Sequence, residues 1–543
     1  MKFPIPAWTL TWRHGLALGV SSALLLWLSY FPVDVGYCSW FALVPLLIVA
    51  RFGSGRITQL AAWTCGLAFY ITSLSWMRVA DPTMAVAWIF LSIHCAAFLA
   101  FSMWLIRRLD RATNWPLTLT VPIVWTALEF ARGRLFGGFS WYFLGHAQHS
   151  NAMLLQIADL GGELMLTFVV AAVNGLVTDV LTRPARTLRV PCYIVGCLIG
   201  LSLIYGAWQL RQANFDMGPK VALLQGNITQ DIRNDAFAGN AQAWKDFMVR
   251  HFVALADRAA TERPDLIVWP ETSLPGESGN WYWYFATQPG DMNSIPLEQR
   301  LWIEESRVNF GYLGRRWGIP SLVGLNAAEM GPGDAQSRFN SAVLVDGAGN
   351  VRGRYDKMHR VPFGEYVPLQ DTMPWLQKLT PYEGYEYSIT AGREFTRFPI
   401  ESAGKTYHFG TLICYEDADT ELAREYVRTE PVDFLVNISN DGWFKGTPEH
   451  EQHLAVSQFR AVECRRALVR AVNLGISAVI DSNGRVTHLP RETWAKSKAI
   501  DGVVVANVPI DHRHSYYARW GDWLPWSCWS AIVFIVLYTR WRR

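Results

Sequence analysis

The sequence predicts a multispan α-helical membrane domain of about eight transmembrane helices, combined with one polar α/β domain. Three observations predict this architecture. The 543 residues are enough for two or more domains. Hydrophobic residues make up 51% of the chain and charged residues only 17%, against roughly 25% charged residues in an average soluble domain. Between residues 212 and 518, short β-rich runs alternate with helical stretches, which favours an α/β sandwich over an all-β domain.

The apolar segments set the domain boundaries. A helix needs roughly 20 residues to cross about 30 Å of hydrocarbon. Segments approaching that length lie at about 15–32, 37–52, 59–77, 84–106, 117–131, 160–182, 190–208 and 523–539. The 26 tryptophans favour the same interpretation, because indole is enriched at membrane interfaces. We predict transmembrane helices 1–7 in residues 1–211, the polar domain in 212–518 and an eighth helix in 519–543.

Positive charge predicts the orientation of these spans. Basic residues cluster at alternate ends of successive spans: Lys2 and Arg13; Arg51 and Arg56; Arg107, Arg108 and Arg111; Arg183, Arg186 and Arg189; Arg540, Arg542 and Arg543. Such clusters mark the cytoplasmic face. We therefore expect a multi-pass protein of a bacterial inner membrane, with both termini cytoplasmic and residues 212–518 in the periplasm.

Charge and cysteine spacing argue against two classes of partner. The formal net charge of +3 is too small to indicate a nucleic-acid partner. The eight cysteines are scattered singly, and no Cys or Cys/His cluster has the spacing of a zinc site, so we expect no metal. Two cysteines fall in the polar domain, Cys414 and Cys464. A disulfide between them is the alternative to a reactive thiol.

Two residues at predicted strand ends are candidates for nucleophile and base. Cys414 ends the apolar run 409–413, where the backbone holds a thiol rigidly and a pocket can form, so it is a candidate nucleophile. Glu271 follows the buried run 266–269 directly after Pro270. An apolar frame raises the pKa of a carboxyl group, which suits a general base. A solvated loop glutamate is the alternative.

A third motif supplies a cation. Lys357 lies in a charged stretch interrupted by Pro and Gly, unlike a solvated run of charges. Its compact ammonium group is suited to stabilise an oxyanion or a thiolate, and Glu365 could orient the Lys357 side chain. A surface loop is the alternative. His359 is a rival base, or a surface residue.

The order of these motifs resembles the carbon–nitrogen hydrolase (nitrilase) superfamily. The motifs are Trp-Pro-Glu271, Tyr-Asp-Lys357 and Cys414-Tyr-Glu. Further matching stretches are Gln225–Asn227, Pro362–Glu365, Asn437–Phe444, Arg470–Asn473 and Arg519–Asp522. Together with the flanking spans, nearly the whole chain resembles the apolipoprotein N-acyltransferase family, which completes the maturation of bacterial lipoproteins. The resemblance implies that the polar domain is an α-β-β-α sandwich.

The resemblance also implies a site and a reaction. Its catalytic residues are Glu271, Lys357 and Cys414, and its supporting or substrate-binding residues are Glu365, Tyr415, Glu416, Asn437 and Trp443. Cys414 would take an acyl chain from a phospholipid, expected to be phosphatidylethanolamine. The resulting thioester would pass it to the α-amino group of the diacylglyceryl cysteine of an apolipoprotein. No cofactor is implied. The alternatives are a membrane-tethered amidase or nitrilase that hydrolyses a C–N bond, and a non-catalytic scaffold.

Three features have no assigned role. Glu129 and Arg132 lie three residues apart near the end of the fifth span, where they would pair on one helix face or contact a headgroup or substrate. The insert 276–296, which contains the aromatic run 281–285, is either a mobile arm that touches lipid or substrate, or a packed loop. The family often has a tryptophan at a place that falls near Asn234 in this chain, where there is none, and Phe237 is the candidate replacement.

Overall fold

The computed structural model describes residues 10–81, 84–212, 214–229, 241–276, 282–287, 294–331, 336–367, 369–370, 372–379 and 388–541. The chain forms two compact units. The first contains residues 1–78, 84–213 and 515–543, and the second contains residues 79–83 and 214–514.

The first unit is built of helices. They span Trp12–Leu28, Val44–Phe52, Gly55–Ser73, Met77–Ala80, Met84–Thr113, Leu117–Arg132, Ala152–Leu155, Ala158–Gly161, Glu163–Thr182, Arg189–Arg211, Tyr516–Trp520 and Trp523–Trp541. Among the described residues, four stretches are long and apolar enough to cross a membrane: Gly55–Ala80, Met84–Thr113, Glu163–Thr182 and Arg189–Arg211. The prediction of a multispan helical domain is confirmed, while the number of about eight spans remains a prediction.

Glu129 and Arg132 both bind the glycine-rich, aromatic loop that follows their helix. Glu129 accepts hydrogen bonds from Trp125 Nε1, Leu144 N and Thr167 Oγ1 at 2.9, 2.9 and 2.8 Å. Arg132 donates to the carbonyl oxygens of Trp141 and Tyr142 at 2.9 and 3.4 Å. Both side chains are buried. These two charges therefore hold the loop against the helices, instead of forming the mutual pair that their spacing suggested.

The described residues of the second unit form thirteen strands in two sheets. The strands are β1 (Asp216–Gln225), β2 (Leu266–Val268), β3 (Tyr282–Ala286), β4 (Ser321–Met330), β5 (Gln336–Val345), β6 (Val351–Asp356), β7 (Arg397–Ser402), β8 (Lys405–Ile413), β9 (Phe434–Ser439), β10 (Ala467–Val472), β11 (Ala478–Ile480), β12 (Val486–His488) and β13 (Gly502–Ile510). One sheet has the order β13-β1-β2-β4-β5-β6, with β3 also paired to β4. The other has the order β12-β11-β10-β9-β8-β7.

Each sheet has a parallel centre, which places several strand ends at one edge. Strands β1, β2 and β4 run parallel in the first sheet, and β8, β9 and β10 run parallel in the second. The described helices of this unit are Ala241–Thr261, Leu297–Trp317, Thr420–Arg428, Glu449–Cys464 and Trp494–Ser497. The first two pack on the first sheet and the next two on the second, while β1 lies against β10 between the sheets. The predicted α-β-β-α sandwich is confirmed.

The aromatic insert is part of this framework. Residues 282–286 form β3, which pairs in parallel with the end of β4. The Trp283 ring stacks on Phe310 with centroids 4.2 Å apart, and the backbone N–H of Tyr284 donates to Ser306 Oγ at 2.9 Å. The mobile-arm interpretation is wrong for these residues, because a strand with both faces covered can bury adjacent aromatic rings. Trp281, Asn234 and Phe237 lie outside the described residues.

Candidate active site

Cys414 stands directly after β8 in a strained conformation. Its φ is +54°, in the left-handed region that residues other than glycine seldom occupy. Such a conformation costs about 1–3 kcal/mol and persists only where the surroundings impose it. The Cys414 thiol is free and the residue is partly exposed. Cys464 is also free and buried, so the disulfide alternative is wrong.

Glu271 follows β2 on a similarly strained turn. Thr272, the next residue, has φ +46°, which is an outlier for a β-branched side chain. The turn is anchored by the backbone N–H of Ser273, which donates to the Gly324 carbonyl oxygen at 2.9 Å. A Cβ on Gly324 would lie 2.1 Å from the Pro270 carbonyl oxygen, so only glycine lets β4 approach this closely. The result is a buried carboxylate at the sheet edge.

Lys357 lies between two carboxylates. Its Nζ is 2.7 Å from Glu365 Oε1 and 3.5 Å from Glu271 Oε1, and its side chain is only 1% exposed. Asn340 joins the two acids, because its Nδ2 donates to Glu271 Oε1 at 2.6 Å and to Glu365 Oε1 at 3.4 Å. The backbone N–H of Asn440 donates to Glu271 Oε2 at 2.8 Å. Glu271, which lies far from the other two in sequence, therefore forms one hydrogen-bonded group with Lys357 and Glu365.

The charges of this group reach Cys414. Partial burial and the charge of Glu271 raise the pKa of the Cys414 thiol to about 12, and Lys357 opposes this rise. Burial also raises the pKa of Glu271, against the attraction of Lys357. Burial would lower the pKa of Lys357, but Glu365, Cys414 and Glu271 together raise it well above the ordinary value. The resting site thus holds a neutral thiol beside an ammonium group, so the thiol must lose its proton to a base when it reacts.

Glu416 is surrounded by hydrogen-bond donors, unlike Glu271, which faces a lysine. It accepts four hydrogen bonds, from Tyr355 Oη and from the backbone N–H groups of Met358, His359 and Ile413, at 2.8, 2.6, 2.9 and 2.7 Å. Burial raises its pKa to about 7, although these donors oppose the rise. Glu416 therefore ties the loop that carries Lys357 to the turn that carries Cys414.

Tyr415 follows Cys414 directly, His359 lies two residues after Lys357, and Trp443 lies three residues after Asn440. The ring of the partly exposed Tyr415 meets the His359 ring edge-to-face at 5.5 Å. His359 Nδ1 is 2.7 Å from Asp419 Oδ2, so its ring nitrogen binds this acid. Trp443 is partly exposed on the short turn Asp441–Phe444. Asn437 is fully buried, and its Nδ2 donates to the Cys414 carbonyl oxygen at 3.1 Å.

One cluster has the residue types of a metal site. Asp441, Glu449 and His450 are buried, with ligand atoms within 4.8 Å of one another. However, His450 Nε2 accepts the backbone N–H of Gly446 at 3.0 Å, so its neutral ring carries the hydrogen on Nδ1 and offers no free lone pair. Arg470 already neutralises Asp441 at 2.8 Å. This donor set fits a hydrogen-bond network better than a cation.

Two residues of the site were not predicted from the sequence. Asn340 lies in the part of β5 that is buried throughout, and a single polar residue in such a run gave no signal in the sequence. Asn440 contributes only its backbone N–H to Glu271, and a backbone donor has no sequence signature. Asn437, by contrast, lay within a stretch that resembled the family.

Comparison with known proteins assigns the family. Residues 22–176 match the model of the apolipoprotein N-acyltransferase N-terminal domain, and residues 220–516 match the carbon-nitrogen hydrolase model. An apolipoprotein N-acyltransferase of Geobacter metallireducens is 31% identical over 97% of this chain and 96% of its own length. The chain belongs to the apolipoprotein N-acyltransferase family. A second relative of that name, from Rhodopirellula baltica, is 30% identical over 92% of this chain and 93% of its own length.

Solved structures similar to this apolipoprotein N-acyltransferase family member include an amidase from Nesterenkonia sp. AN1. It is 17% identical and covers 54% of this chain and 94% of its own, with a TM-score of 0.35. The carbon-nitrogen hydrolase match spans Glu271, Lys357 and Cys414, while the N-terminal match spans Glu129 and Arg132. The family thus joins the helical unit and the sandwich unit in one chain.

Proposed function

We propose that this chain transfers an acyl chain from a phospholipid, through a thioester on Cys414, to the N-terminal amino group of a diacylglyceryl cysteine. The observation that carries the proposal is the buried group of Glu271, Lys357 and Glu365, whose charges act on a partly exposed thiol. A base, a cation and a nucleophile are what acyl transfer through a covalent intermediate requires. Family membership supports the choice of a lipoprotein as the acceptor.

In the first half-reaction the thiol attacks the ester. Glu271 accepts the Sγ proton while sulfur bonds to the carbonyl carbon of the phospholipid ester. Lys357 stabilises the negative charge on the carbonyl oxygen, and one such donor typically lowers the barrier by about 3–4 kcal/mol. The C–O bond then breaks. Glu271 returns the proton to the lysophospholipid alcohol, leaving a thioester on Cys414.

In the second half-reaction the amine takes the acyl chain. The neutral α-amino group of the acceptor attacks the thioester carbonyl, and Glu271 accepts a proton from nitrogen. The C–S bond breaks as the amide forms, and the proton passes to the departing sulfur. The products are an N-acylated lipoprotein and the free thiol. Lys357 stabilises the oxyanion in both halves, so it must stay charged throughout, which its raised pKa favours.

The substrates explain why the enzyme is attached to membrane helices. Each buried CH₂ of an acyl chain is worth about 0.8 kcal/mol, so donor and acceptor remain in the bilayer. We place the protein in the bacterial inner membrane, with both termini cytoplasmic and the sandwich unit in the periplasm, where the basic clusters predict it. Phosphatidylethanolamine is the expected donor. An amidase acting on small soluble amides would need no such helices.

The test is an intact-mass measurement on the full-length protein in detergent. Incubated with phosphatidylethanolamine, the protein should gain the mass of one acyl chain, and peptide mapping should place it on Cys414. Adding a synthetic diacylglyceryl-cysteine peptide should remove the adduct and acylate the peptide. Cys414→Ser tests the site and Cys464→Ser is the matched control, because both residues are free cysteines of the same unit. Release of free fatty acid or ammonia without peptide acylation would instead indicate a hydrolase.

A further inference from the structure

A buried arginine lies at the centre of a polar cluster behind Cys414. Arg470, on β10, is fully buried. Its NH1 donates to Asn437 Oδ1 at 2.7 Å and to Asp417 Oδ2 at 3.0 Å, and its NH2 donates to Asp441 Oδ2 at 2.8 Å. One guanidinium group therefore joins β9, the turn after β8 and the turn after β9. A planar group with several fixed donors is suited to this task, and an ammonium group is not.

His453 and the acids Asp417, Asp441 and Glu449 surround Arg470. His453 Nε2 is 2.8 Å from Asp417 Oδ1, and its Nδ1 is 3.2 Å from Asp441 Oδ1. Burial and Arg470 would lower the pKa of His453, but the two aspartates raise it well above its usual value. The pKa values of both aspartates are lowered by His453 and Arg470 in spite of their burial. Arg470 NH2 also lies 2.8 Å from His453 Nδ1, and Glu449 Oε1 lies 3.5 Å from the same nitrogen. Removing Arg470 would leave a buried aspartate without its charge partner.

Asn437 connects this cluster to the nucleophile. Its Oδ1 accepts from Arg470, which fixes the amide so that Nδ2 points to the opposite side. That Nδ2 donates to the carbonyl oxygens of Cys414 and Leu412 at 3.1 and 3.3 Å. The amide therefore holds the backbone on both sides of Ile413, where the extended strand changes to the left-handed conformation of Cys414. Without a bond of this kind, a strained residue would relax.

We propose that Asn437 and Arg470 are positioning residues, which hold the Cys414 backbone in its left-handed conformation so that the thiol stays in register with Glu271 and Lys357. Neither residue needs to touch the substrate. Arg470 acts on Asn437, and Asn437 acts on the Cys414 carbonyl oxygen. The proposal rests on the proposed function only for the reaction that is assayed, because the hydrogen bonds themselves do not depend on which substrate is used.

The variant Asn437→Asp tests the hydrogen bond from Asn437 Nδ2 to the Cys414 carbonyl oxygen. The carboxylate has nearly the shape of the amide and still offers an oxygen to Arg470, but it puts an acceptor where the Cys414 carbonyl oxygen needs a donor. Displacing a reacting group by about 1 Å can cost 10²-fold, so single-turnover acylation of Cys414 should fall by about 100-fold. Apparent affinity for phosphatidylethanolamine should change little, because the variant removes no substrate contact. Arg470→Lys should show the same loss of rate with unchanged affinity.

The matched control is Arg466→Lys. Arg466 is also a buried arginine, directly before β10, and it donates to the carbonyl oxygens of Val432 and Asp511. It contacts neither Asn437 nor Cys414 among the described hydrogen bonds, so its variant should acylate at close to the wild-type rate. Iodoacetamide labelling of Cys414, with circular dichroism, identifies variants that are folded with an accessible thiol.

The outcomes distinguish failure of the positioning role from failure of the proposed function. Folded Asn437→Asp or Arg470→Lys protein that acylates at the wild-type rate would overturn the positioning role. An equal loss in Arg466→Lys would overturn it too, because the effect would then follow from any buried arginine. If the wild-type protein itself forms no acyl adduct although Cys414 is labelled by iodoacetamide, the proposed function has failed. In that case, a difference in iodoacetamide labelling rate between the Asn437→Asp and wild-type proteins would still show that the thiol has moved.

Discussion

Glu271 and Glu416 are both buried glutamates at the edge of the same sandwich, yet their surroundings differ in kind. Glu416 accepts four hydrogen bonds, three of them from backbone N–H groups. Glu271 accepts one backbone N–H and one amide group, and it faces an ammonium group at 3.5 Å. Burial raises the pKa of both carboxyl groups. The difference therefore lies in what their oxygens bind, not in how deeply they are buried.

This comparison separates two uses of a buried carboxylate. One whose oxygens are all bound by fixed donors holds segments together, because any movement would leave buried N–H groups unpaired. One that shares its site with a lysine and a thiol can gain and lose a proton while its surroundings stay in place. We therefore expect Glu271 variants to lose chemistry while folding is retained, and Glu416 variants to lose stability first.

The largest effect is expected for Glu271→Gln. The amide has the same shape but cannot accept the Cys414 proton, and general-base catalysis typically contributes 10²–10⁴-fold, so acyl-enzyme formation should fall by about 10³-fold. Intact-mass kinetics on the detergent-solubilised protein would measure this. Circular dichroism should show a folded protein. A full acyl adduct formed by Glu271→Gln at the wild-type rate would remove Glu271 from the role of base.

Lys357→Arg should have the next largest effect. Arginine keeps the charge, but its planar group does not fit a position 2.7 Å from Glu365 and 3.5 Å from Glu271 without displacing one of them. Losing one oxyanion donor typically costs about 10²–10³-fold, so we expect a loss near the lower end of that range. Single-turnover acylation measures it, with Lys405→Arg as a surface control in the same unit. Unchanged turnover would show that Lys357 is not the oxyanion donor.

Activity should also depend on pH in a way that reports Glu271. Glu271 must be deprotonated to act as base, and its pKa lies above the ordinary value of 4.5, so the rate should fall on acidification from a higher pH than for an exposed glutamate. Below that point the rate should drop about tenfold per pH unit. The residual rate of Glu271→Gln should lack this acid limb. If the limb persisted in Glu271→Gln, another group would control it.

The sequence was sufficient to predict the strand-end positions of Glu271 and Cys414, because buried apolar runs and the residues after them are local features. It was also sufficient for the α/β class of the polar domain, since predicted strands and helices alternate. The strands β3, β6, β7 and β12 were missed. In β3 the continuous aromatic run lacks alternation, and its burial depends on Phe310 and Trp302, which lie far along the chain.

The hydrogen bonds that complete the site could not be predicted. Asn340 and the backbone of Asn440 meet Glu271 only because β5 and β9 lie in sheets that face each other. The left-handed conformation of Cys414 is likewise imposed by tertiary contacts, since nothing in a cysteine favours φ +54°. The spacing of Glu129 and Arg132 suggested that these two side chains pair with each other. In the structure, each of them instead binds the loop that follows their helix.

Glu416→Gln should have the smallest effect on the chemical step and should act mainly on stability. The amide group replaces one acceptor oxygen with a donor that faces backbone N–H groups or Tyr355 Oη, and an unsatisfied buried group costs about 1–3 kcal/mol. The thermal midpoint should fall, while acylation per folded molecule should decrease less than in Glu271→Gln or Lys357→Arg. The acid limb should remain, because Glu271 is intact. A variant as stable as wild type but without any acyl-enzyme formation would mean that Glu416 takes part in the chemistry, and the distinction between the two glutamates would be lost.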